Sequence, residues 1–178
     1  GEEGRTLGVT GSLRVLVGIT EGLRYLHENG IVHGEVRPSK VLFSSNGAVK
    51  LTDSGVPWRE SCYTPRDEEM RYTSPERMLG ETATKAADIW AVGAIALHLF
   101  TGSPPYADLQ GERLRDEIAR NGIKLLLSEA ARTAGTKGVV VGQTSAKSLY
   151  LLASSLAFEP GHRVAAHELV EIILQNND

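Results

Sequence analysis

The chain has 178 residues, of which 41% are hydrophobic, and its 19 Lys and Arg against 22 Asp and Glu give a net charge of −3. That length suits one sizeable domain, and the apolar fraction supports a packed core and excludes bulk disorder. The lack of a basic excess argues against a nucleic-acid partner, and the single cysteine, Cys62, excludes an internal disulfide or a cysteine-rich zinc site.

The most apolar run, IWAVGAIALHLF at residues 89–100, is 12 residues long and contains His98. Crossing a bilayer takes about 20 residues, so we expect no membrane span and interpret this run as a helix buried inside the domain. Together with the lone cysteine, this favours an intracellular, cytoplasmic protein. Because the sequence begins at Gly1 rather than Met, we expect a missing or processed N-terminus, which leaves targeting unassigned.

The first elements are a glycine-rich lead-in over residues 1–12 and an amphipathic helix that ends at Asn29-Gly30. The helix is predicted from apolar residues at three- and four-residue steps, namely Leu13, Leu16, Ile19, Leu23 and Leu26. Further along, Asn46-Gly47 separates the apolar runs VLF and AVKL, and Asn-Gly in that setting predicts a β-hairpin.

After the hairpin, the only regular elements that the sequence predicts are helices. Residues 56–73 are predicted to be irregular, because Pro57 and Pro65 interrupt regular structure, and the charge cluster at residues 66–69 is interpreted as a solvated loop. The predicted helices are at residues 74–80, 85–101, 109–121, 145–158 and 164–175, with a loop at 133–145. The sequence therefore predicts a mainly α fold with one small β-hairpin.

Six short motifs follow one another along these elements. They are His33–Lys40 (HGEVRPSK), Asp53-Ser54-Gly55, Ser74-Pro75-Glu76, Asp88–Gly93 (DIWAVG), Gly102–Tyr106 (GSPPY) and Arg163 in GHRVAAHEL. In order and spacing they resemble the catalytic loop HRDLxxxN, DFG, APE, DxWSxG, GxxPF and late arginine of eukaryotic protein kinases. The resemblance implies a kinase C-terminal lobe over residues 13–175, with a tail at 176–178 and the N-terminal lobe absent from this chain.

Two substitutions within these motifs affect the chemistry that the resemblance implies. Phosphoryl transfer relies on a carboxylate that orients the hydroxyl and on ligands for magnesium. Glu35 replaces the catalytic Asp, and its added methylene moves the carboxylate by about 1 Å, which costs on the order of 100-fold in rate. Lys40 replaces the metal-binding Asn, and an ammonium about 4 Å from a divalent ion is repelled by about 8 kcal/mol at a dielectric near 20. We therefore expect Lys40 to pair with Asp53 in place of magnesium.

Other departures from the family pattern point the same way. Gly34 removes the arginine that would grip a phosphate on the activation loop, and Ser54 replaces the DFG phenylalanine. No glycine-rich loop and no strand lysine precede Leu13. We expect no catalytic residue, with Glu35, Arg37 and Lys40 as degenerate catalytic-loop positions.

We also expect no metal and no cofactor at this site. Asp53 would serve as a ligand only if ATP and magnesium were bound.

The resemblance also implies structural roles. We expect His33 to be a packing residue, and Asp88 to accept N–H groups from the catalytic-loop turn. Glu76 and Arg163 should form a buried ion pair. Trp90 and Gly93 should serve close packing.

The leading hypothesis is a catalytically inactive pseudokinase domain that acts as a scaffold, allosteric partner or assembly component. We expect a protein partner or the missing N-terminal lobe to cover the face around Glu35 and Asp53. One alternative is an active or weakly active Ser/Thr kinase with Glu35 as base and Asp53 as metal ligand. A second alternative is a nucleotide-binding module that transfers nothing, in which Lys40 contacts phosphate.

Overall fold

The computed structural model describes residues 8–53, 65–122 and 146–175. The helices are α1 (Val9–Glu28), α2 (Asp67–Met70), α3 (Pro75–Met78), α4 (Lys85–Thr101), α5 (Gly111–Asn121), α6 (Ala146–Ser155) and α7 (Ala166–Leu174), with 3-10 turns at Pro38–Lys40 and Pro160–His162. The strands are β1 (Val41–Phe43) and β2 (Val49–Leu51). Several features named above lie outside the described residues, namely Ser54-Gly55, Pro57, Cys62, the loop at 133–145 and the tail at 176–178. The predicted mainly helical fold with a small two-stranded sheet is confirmed.

The hairpin forms where Asn46-Gly47 predicts it. Strands β1 and β2 are antiparallel, with Val41 opposite Leu51. The turn is closed by Gly47, whose N–H donates to the Ser44 carbonyl at 2.8 Å. Gly47 has a φ of +79°, a conformation that glycine adopts without steric cost.

Helix α1 begins at Val9, so residues 9–12 belong to a helix and not to the predicted lead-in. The Ser12 N–H donates to the Gly8 carbonyl at 2.9 Å, and the Ser12 side chain is buried. Val9 packs against the core, so tertiary contacts support this first turn despite its glycines. The other end is as predicted, since the helix ends at Glu28 with Asn29 as its C-cap, and Gly30 has a φ of +75°.

Helix α4 is the centre of the core. Every residue from Ala87 to Leu97 is buried, and α1 and α6 pack against the helix. Thr84 caps the start by accepting from the Ala87 N–H at 3.2 Å. Gly102, with a φ of +73°, ends the helix by donating to the His98 carbonyl at 2.8 Å. The prediction of a buried helix over residues 85–101 is confirmed.

The prediction that residues 56–73 are irregular is wrong in part, because α2 lies within them. The backbone N–H of Arg66 donates to the carboxylate of Glu69 at 3.0 Å, which satisfies a donor at the start of the helix. Glu69 and Met70 are buried, so tertiary packing stabilises a helix of only four residues. Pro57 and Pro65 precede the helix and so do not interrupt it.

Helix α6 ends at Ser155, three residues before the predicted end at 158. The carbonyls of Ala157 and Phe158 accept hydrogen bonds from the guanidinium of Arg163 at 2.8 and 2.9 Å. Because a side chain satisfies these carbonyls, the chain can leave the helix here and turn towards α7. Across the described ranges, no helix combines the length and hydrophobicity that a bilayer crossing requires.

Candidate functional site

The turn at His33-Gly34 is held by the carboxylate of Asp88, which is 2% exposed on α4. The backbone N–H groups of His33 and Gly34 donate to its two oxygens at 2.9 and 2.8 Å. Gly34 has a φ of +80°, so the turn uses a backbone conformation that side chains disfavour. This is the arrangement that the resemblance implies for Asp88.

The sequence analysis missed His27, which is also part of this arrangement. Its Nε2 lies 2.8 Å from the Asp88 carboxylate, and the side chain is 8% exposed. The two residues are 61 positions apart, so no local pattern indicates their contact. His27 therefore anchors the end of α1 to the residue that holds the catalytic-loop turn.

His33 lies inside the protein, 1% exposed. Its Nδ1 accepts the backbone N–H of Glu35 at 3.2 Å. Burial lowers the pKa of the His33 imidazole, because the charged form is poorly solvated there, although Asp88 acts in the opposite direction. His33 is placed as a packing and hydrogen-bonding residue.

Five charged side chains of alternating sign form a continuous row, which we call the charge ladder: Asp53, Lys40, Glu35, Arg37 and Glu69. The Lys40 amine lies 2.8 Å from Asp53 and 3.5 Å from Glu35. Arg37 lies 3.4 Å from Glu35 and 2.9 Å from Glu69. The ladder thus brings Glu35, Arg37 and Lys40 into one network with Asp53.

The ion pair between Lys40 and Asp53, at one end of this ladder, favours the charged form of both groups. The hydrogen bond to Asp53 raises the pKa of the Lys40 ammonium, although partial burial opposes it. The same bond lowers the pKa of the Asp53 carboxyl. Both groups are therefore ionised throughout the neutral pH range.

This arrangement does not fit a divalent cation. Magnesium takes oxygen ligands, yet the Asp53 oxygen accepts from an ammonium at 2.8 Å, and Glu35 faces cations on both sides. Within the described ranges, no group of three or more His, Cys, Asp or Glu side chains is arranged to hold a metal. The carboxylates of Asp53 and Glu35 are thus paired with the Lys40 ammonium, which leaves an arrangement unsuited to a divalent ion.

The interpretation of residues 66–69 as a solvated loop is wrong for Glu69. Its side chain is 3% exposed and lies between Arg37 at 2.9 Å and Arg66 at 3.2 Å. A buried carboxylate requires such partners, because its desolvation is costly when it is unpaired. The repeated charges of this segment conceal which one points inward, and only the fold shows it.

Glu76 on α3 and Arg163 before α7 form a two-pronged ion pair. Nη1 and Nη2 of Arg163 donate to the two carboxylate oxygens at 2.6 and 2.8 Å. The guanidinium carbon also lies 4.9 Å from the ring centroid of Trp90, a cation–π distance. The fold therefore brings together three of the residues to which the resemblance gives structural roles.

Gly93 is placed where no side chain fits. A Cβ added there would lie 2.4 Å from the Ser155 Oγ and 2.6 Å from the Leu156 Cγ. Helices α4 and α6 approach each other at this glycine, so it serves the close packing that was expected.

The hairpin next to the charge ladder exposes apolar side chains. Leu42 is 53% exposed and Phe43 is 60% exposed. Asp53, just past the end of β2, has a side chain that is 58% exposed. The face around the ladder is thus open and partly apolar within the described part of the chain.

Comparison with known proteins identifies the class of protein that this fold and site define. The family described as "Protein kinase domain" matches residues 10–173. The match covers nearly the whole chain, so this chain belongs to the protein kinase domain family.

The chain is similar to several proteins that are named as kinases. The chain is 39% identical over 108 residues to the CTD kinase subunit alpha of Schizosaccharomyces pombe, a match that covers 57% of this chain and 17% of that protein. It is 24% identical over 158 residues to the Aurora kinase of Eremothecium gossypii, covering 85% of this chain and 38% of that protein. It is 40% identical over 98 residues to mitogen-activated protein kinase kinase 5 of Leishmania mexicana, covering 51% and 18%. The chain spans well under half the length of each of these relatives.

Proposed function

We propose that this kinase-family chain is catalytically inactive and works as a pseudokinase, through protein contacts. The observation that carries this proposal is the position of the Lys40 amine, 2.8 Å from Asp53 and 3.5 Å from Glu35. Asp53 is the residue that would hold magnesium and Glu35 the residue that would orient a substrate hydroxyl. One ammonium therefore engages both of the carboxylates on which transfer would depend.

The second oxygen of Glu35 supports the same proposal. Arg37 lies 3.4 Å from Oε1, while Lys40 lies 3.5 Å from Oε2. A general base must be within hydrogen-bond reach of the proton that it accepts. A substrate hydroxyl at Glu35 would have to compete with both cations.

Two anchors of the fold, by contrast, are paired. Asp88 holds the His33-Gly34 turn, and Arg163 pairs with Glu76. A domain whose structural contacts are intact, but whose Glu35 and Asp53 carboxylates are held in ion pairs, can still present a binding surface to another protein. The exposed Leu42 and Phe43 beside the ladder support a protein partner or a second lobe over the Glu35 and Asp53 face.

A thermal-shift experiment on the full-length protein tests the proposal. We expect no stabilisation by ATP that depends on magnesium, because Lys40 occupies the position of the ion. The variant Lys40→Asn, which restores an amide and releases Asp53, should acquire such stabilisation. The double variant with Asp53→Asn should lose it again.

The second candidate is an active or weakly active Ser/Thr kinase, which the kinase names of the relatives favour. Magnesium-dependent stabilisation of the unaltered chain, abolished by Asp53→Asn, would support it. Phosphate transfer that is lost in Glu35→Gln would establish it and overturn our proposal. Stabilisation by ATP without magnesium, lost in Lys40→Asn, would instead support a nucleotide-binding module without transfer.

A further inference from the structure

A small cavity, which we call the loop cavity, lies between the catalytic-loop turn, the start of α3 and the first turns of α4. Its volume is about 30 Å³, and its lining includes Gly34, Arg37, Ser74 and Asp88. A cavity needs about 10–15 Å³ to hold one water molecule, whereas sites for small organic ligands begin at about 300 Å³. The loop cavity therefore has the size of a water site.

Two buried polar atoms of this lining form no hydrogen bond within the described part of the chain. They are the Nε of Arg37 and the Oγ of Ser74. The side chain of Arg37 is 12% exposed and Ser74 is 1% exposed, so bulk solvent satisfies neither atom. Native proteins satisfy most buried polar groups with protein atoms or with ordered water. Both atoms thus need a partner inside the cavity.

The hydroxyl of Ser74 is available as an acceptor. Burial raises the pKa of the Glu76 carboxyl, but Arg163 and, to a smaller degree, the Ser74 hydroxyl lower it, and the net shift is downward. The hydroxyl proton is therefore attracted by Glu76. A serine oxygen also has two lone pairs, and these remain to accept from a donor in the cavity.

The carboxylate of Asp88 supplies a second acceptor. It interacts with the ring of His27 and with the backbone N–H groups of His33 and Gly34. An ionised carboxylate has about four acceptor positions, so these contacts leave one of them open. The lining thus combines one unpaired donor with two oxygens that can accept.

We propose that an ordered water molecule occupies the loop cavity and bridges Arg37, Ser74 and Asp88. The water accepts the Nε–H of Arg37 and donates its two protons to the Ser74 Oγ and to the Asp88 carboxylate. Buried waters typically make about three hydrogen bonds, so this arrangement satisfies the water and both unpaired atoms. Ser74 stands where the family motif APE has alanine, so the hydroxyl that completes the site does not come from that motif.

The water completes the attachment of the Arg37 guanidinium. Its Nη1 lies 2.9 Å from Glu69, and its Nη2 lies 3.4 Å from Glu35. With Nε bound to the water, all three nitrogens are held, and the third contact leads to the start of α3. The water therefore fixes the orientation of the cation that joins Glu35 to Glu69 in the charge ladder. This site does not depend on whether the protein transfers phosphate.

A high-resolution crystal structure of the full-length protein tests the proposal without any variant. We expect a water within about 2.7–3.2 Å of the Arg37 Nε, the Ser74 Oγ and an Asp88 oxygen. In solution, the side-chain Nε–H signal of Arg37 in the ¹⁵N-labelled protein should show a nuclear Overhauser effect to a bound water.

A serine variant and a matched control locate the water. Ser74→Ala removes one of its acceptors and should speed the exchange of the Arg37 Nε–H with solvent about five-fold, the factor that one hydrogen bond contributes. The control is Ser155→Ala, which removes an equally buried hydroxyl that donates to the Leu151 carbonyl at 2.8 Å, away from the cavity. It should leave the exchange unchanged.

Three results would overturn the proposal. The first is a crystal structure in which no water bonds both the Arg37 Nε and the Ser74 Oγ, including one in which these two atoms bond directly. The second is an Arg37 Nε–H signal without a nuclear Overhauser effect to water. The third is the same exchange rate in Ser74→Ala and in the unaltered protein.

Discussion

Arg163 donates to both carboxylate oxygens of Glu76, at 2.6 and 2.8 Å, across 87 positions of sequence. The same guanidinium donates to the carbonyls of Ala157 and Phe158. One side chain thus ties α3 to the turn that precedes α7, inside a region with little solvent. The charges are worth most when both are present, because either one alone would be buried without a partner.

The variant Arg163→Met should lower the free energy of unfolding by about 3–5 kcal/mol, because it leaves Glu76 buried and unpaired. Urea unfolding measures the change. The control is Arg120→Met, which breaks a pair with Asp116 whose side chains are 75% and 64% exposed and should cost less than about 1 kcal/mol. Equal losses in the two variants would contradict the role given to the buried pair.

Two glycines on the same face of α1 should respond in opposite directions to alanine. A Cβ at Gly18 would lie 2.5 Å from the Val49 Cβ, so Gly18→Ala should push β2 away and destabilise by about 1–3 kcal/mol. A Cβ at Gly22 would lie 3.4 Å from the flexible end of Leu51, an ordinary contact. Gly22→Ala should therefore stabilise the helix by about 0.5–1 kcal/mol. Thermal or urea unfolding measures both variants, and a shift of the same sign in each would refute the close approach of β2.

The stability of the protein should fall as the pH drops below about 6.5. Burial lowers the pKa of both His33 and His98 in the folded protein. Below the ordinary histidine pKa the unfolded chain then binds more protons than the folded one, and this favours unfolding. The contribution is present above that pKa and is lost as the pH falls towards the lowered folded values. Unfolding free energies at a series of pH values should show a smaller slope in His98→Gln.

The hydroxyl of Tyr72 should ionise at a higher pH than that of an exposed tyrosine. Burial raises the pKa of its hydroxyl to about 12, and that hydroxyl lies 2.7 Å from the His98 Nδ1. Since the unfolded tyrosine ionises near 10, its contribution to stability is present below that pH and is lost between about 10 and 12. Ultraviolet absorbance during alkaline titration should show a component near pH 12 that disappears in Tyr72→Phe. A Tyr72→Phe curve that keeps the late component would assign it to another residue.

Arg37 should hold α2 in place more strongly than Arg66 does. Glu69 lies between them, but the side chain of Arg37 is 12% exposed and that of Arg66 is 73% exposed. Exposed ion pairs contribute little, so Arg37→Met should increase proteolytic cleavage within residues 65–73 by about ten-fold or more. Arg66→Met is the control and should change cleavage only slightly. Cleavage rates measured by mass spectrometry would argue against the ladder as an anchor if Arg66→Met had the larger effect.

Local sequence signals predicted the elements whose ends depend on nearby residues. Asn46-Gly47 located the hairpin, and Gly30 and Gly102 located the ends of α1 and α4, because a glycine at positive φ ends or reverses the chain where it stands. The same signals missed α2 and the first turn of α1. Both are supported by burial against distant parts of the chain, which no short window of sequence contains.

The predictions about the site divide in the same way, into those that residue type alone supports and those that require the fold. The residue types at positions 40 and 53 were enough to predict that Lys40 pairs with Asp53, since the sign of a charge is a property of the residue itself. The roles of His27 and Glu69 required the fold. His27 acts on a carboxylate 61 positions away, and Glu69 is one of several similar charges in its segment.

The sequence by itself determined the kinase-like motif order, the helical character and the positive charge at Lys40, because these follow from residue identity and short spacing. Only the tertiary structure decided that one amine reaches both Asp53 and Glu35, and that a carboxylate of α2 closes the charge ladder. The physical reason is distance. Ion pairs and hydrogen bonds form over about 3 Å, and only the folded chain brings side chains from remote segments that close.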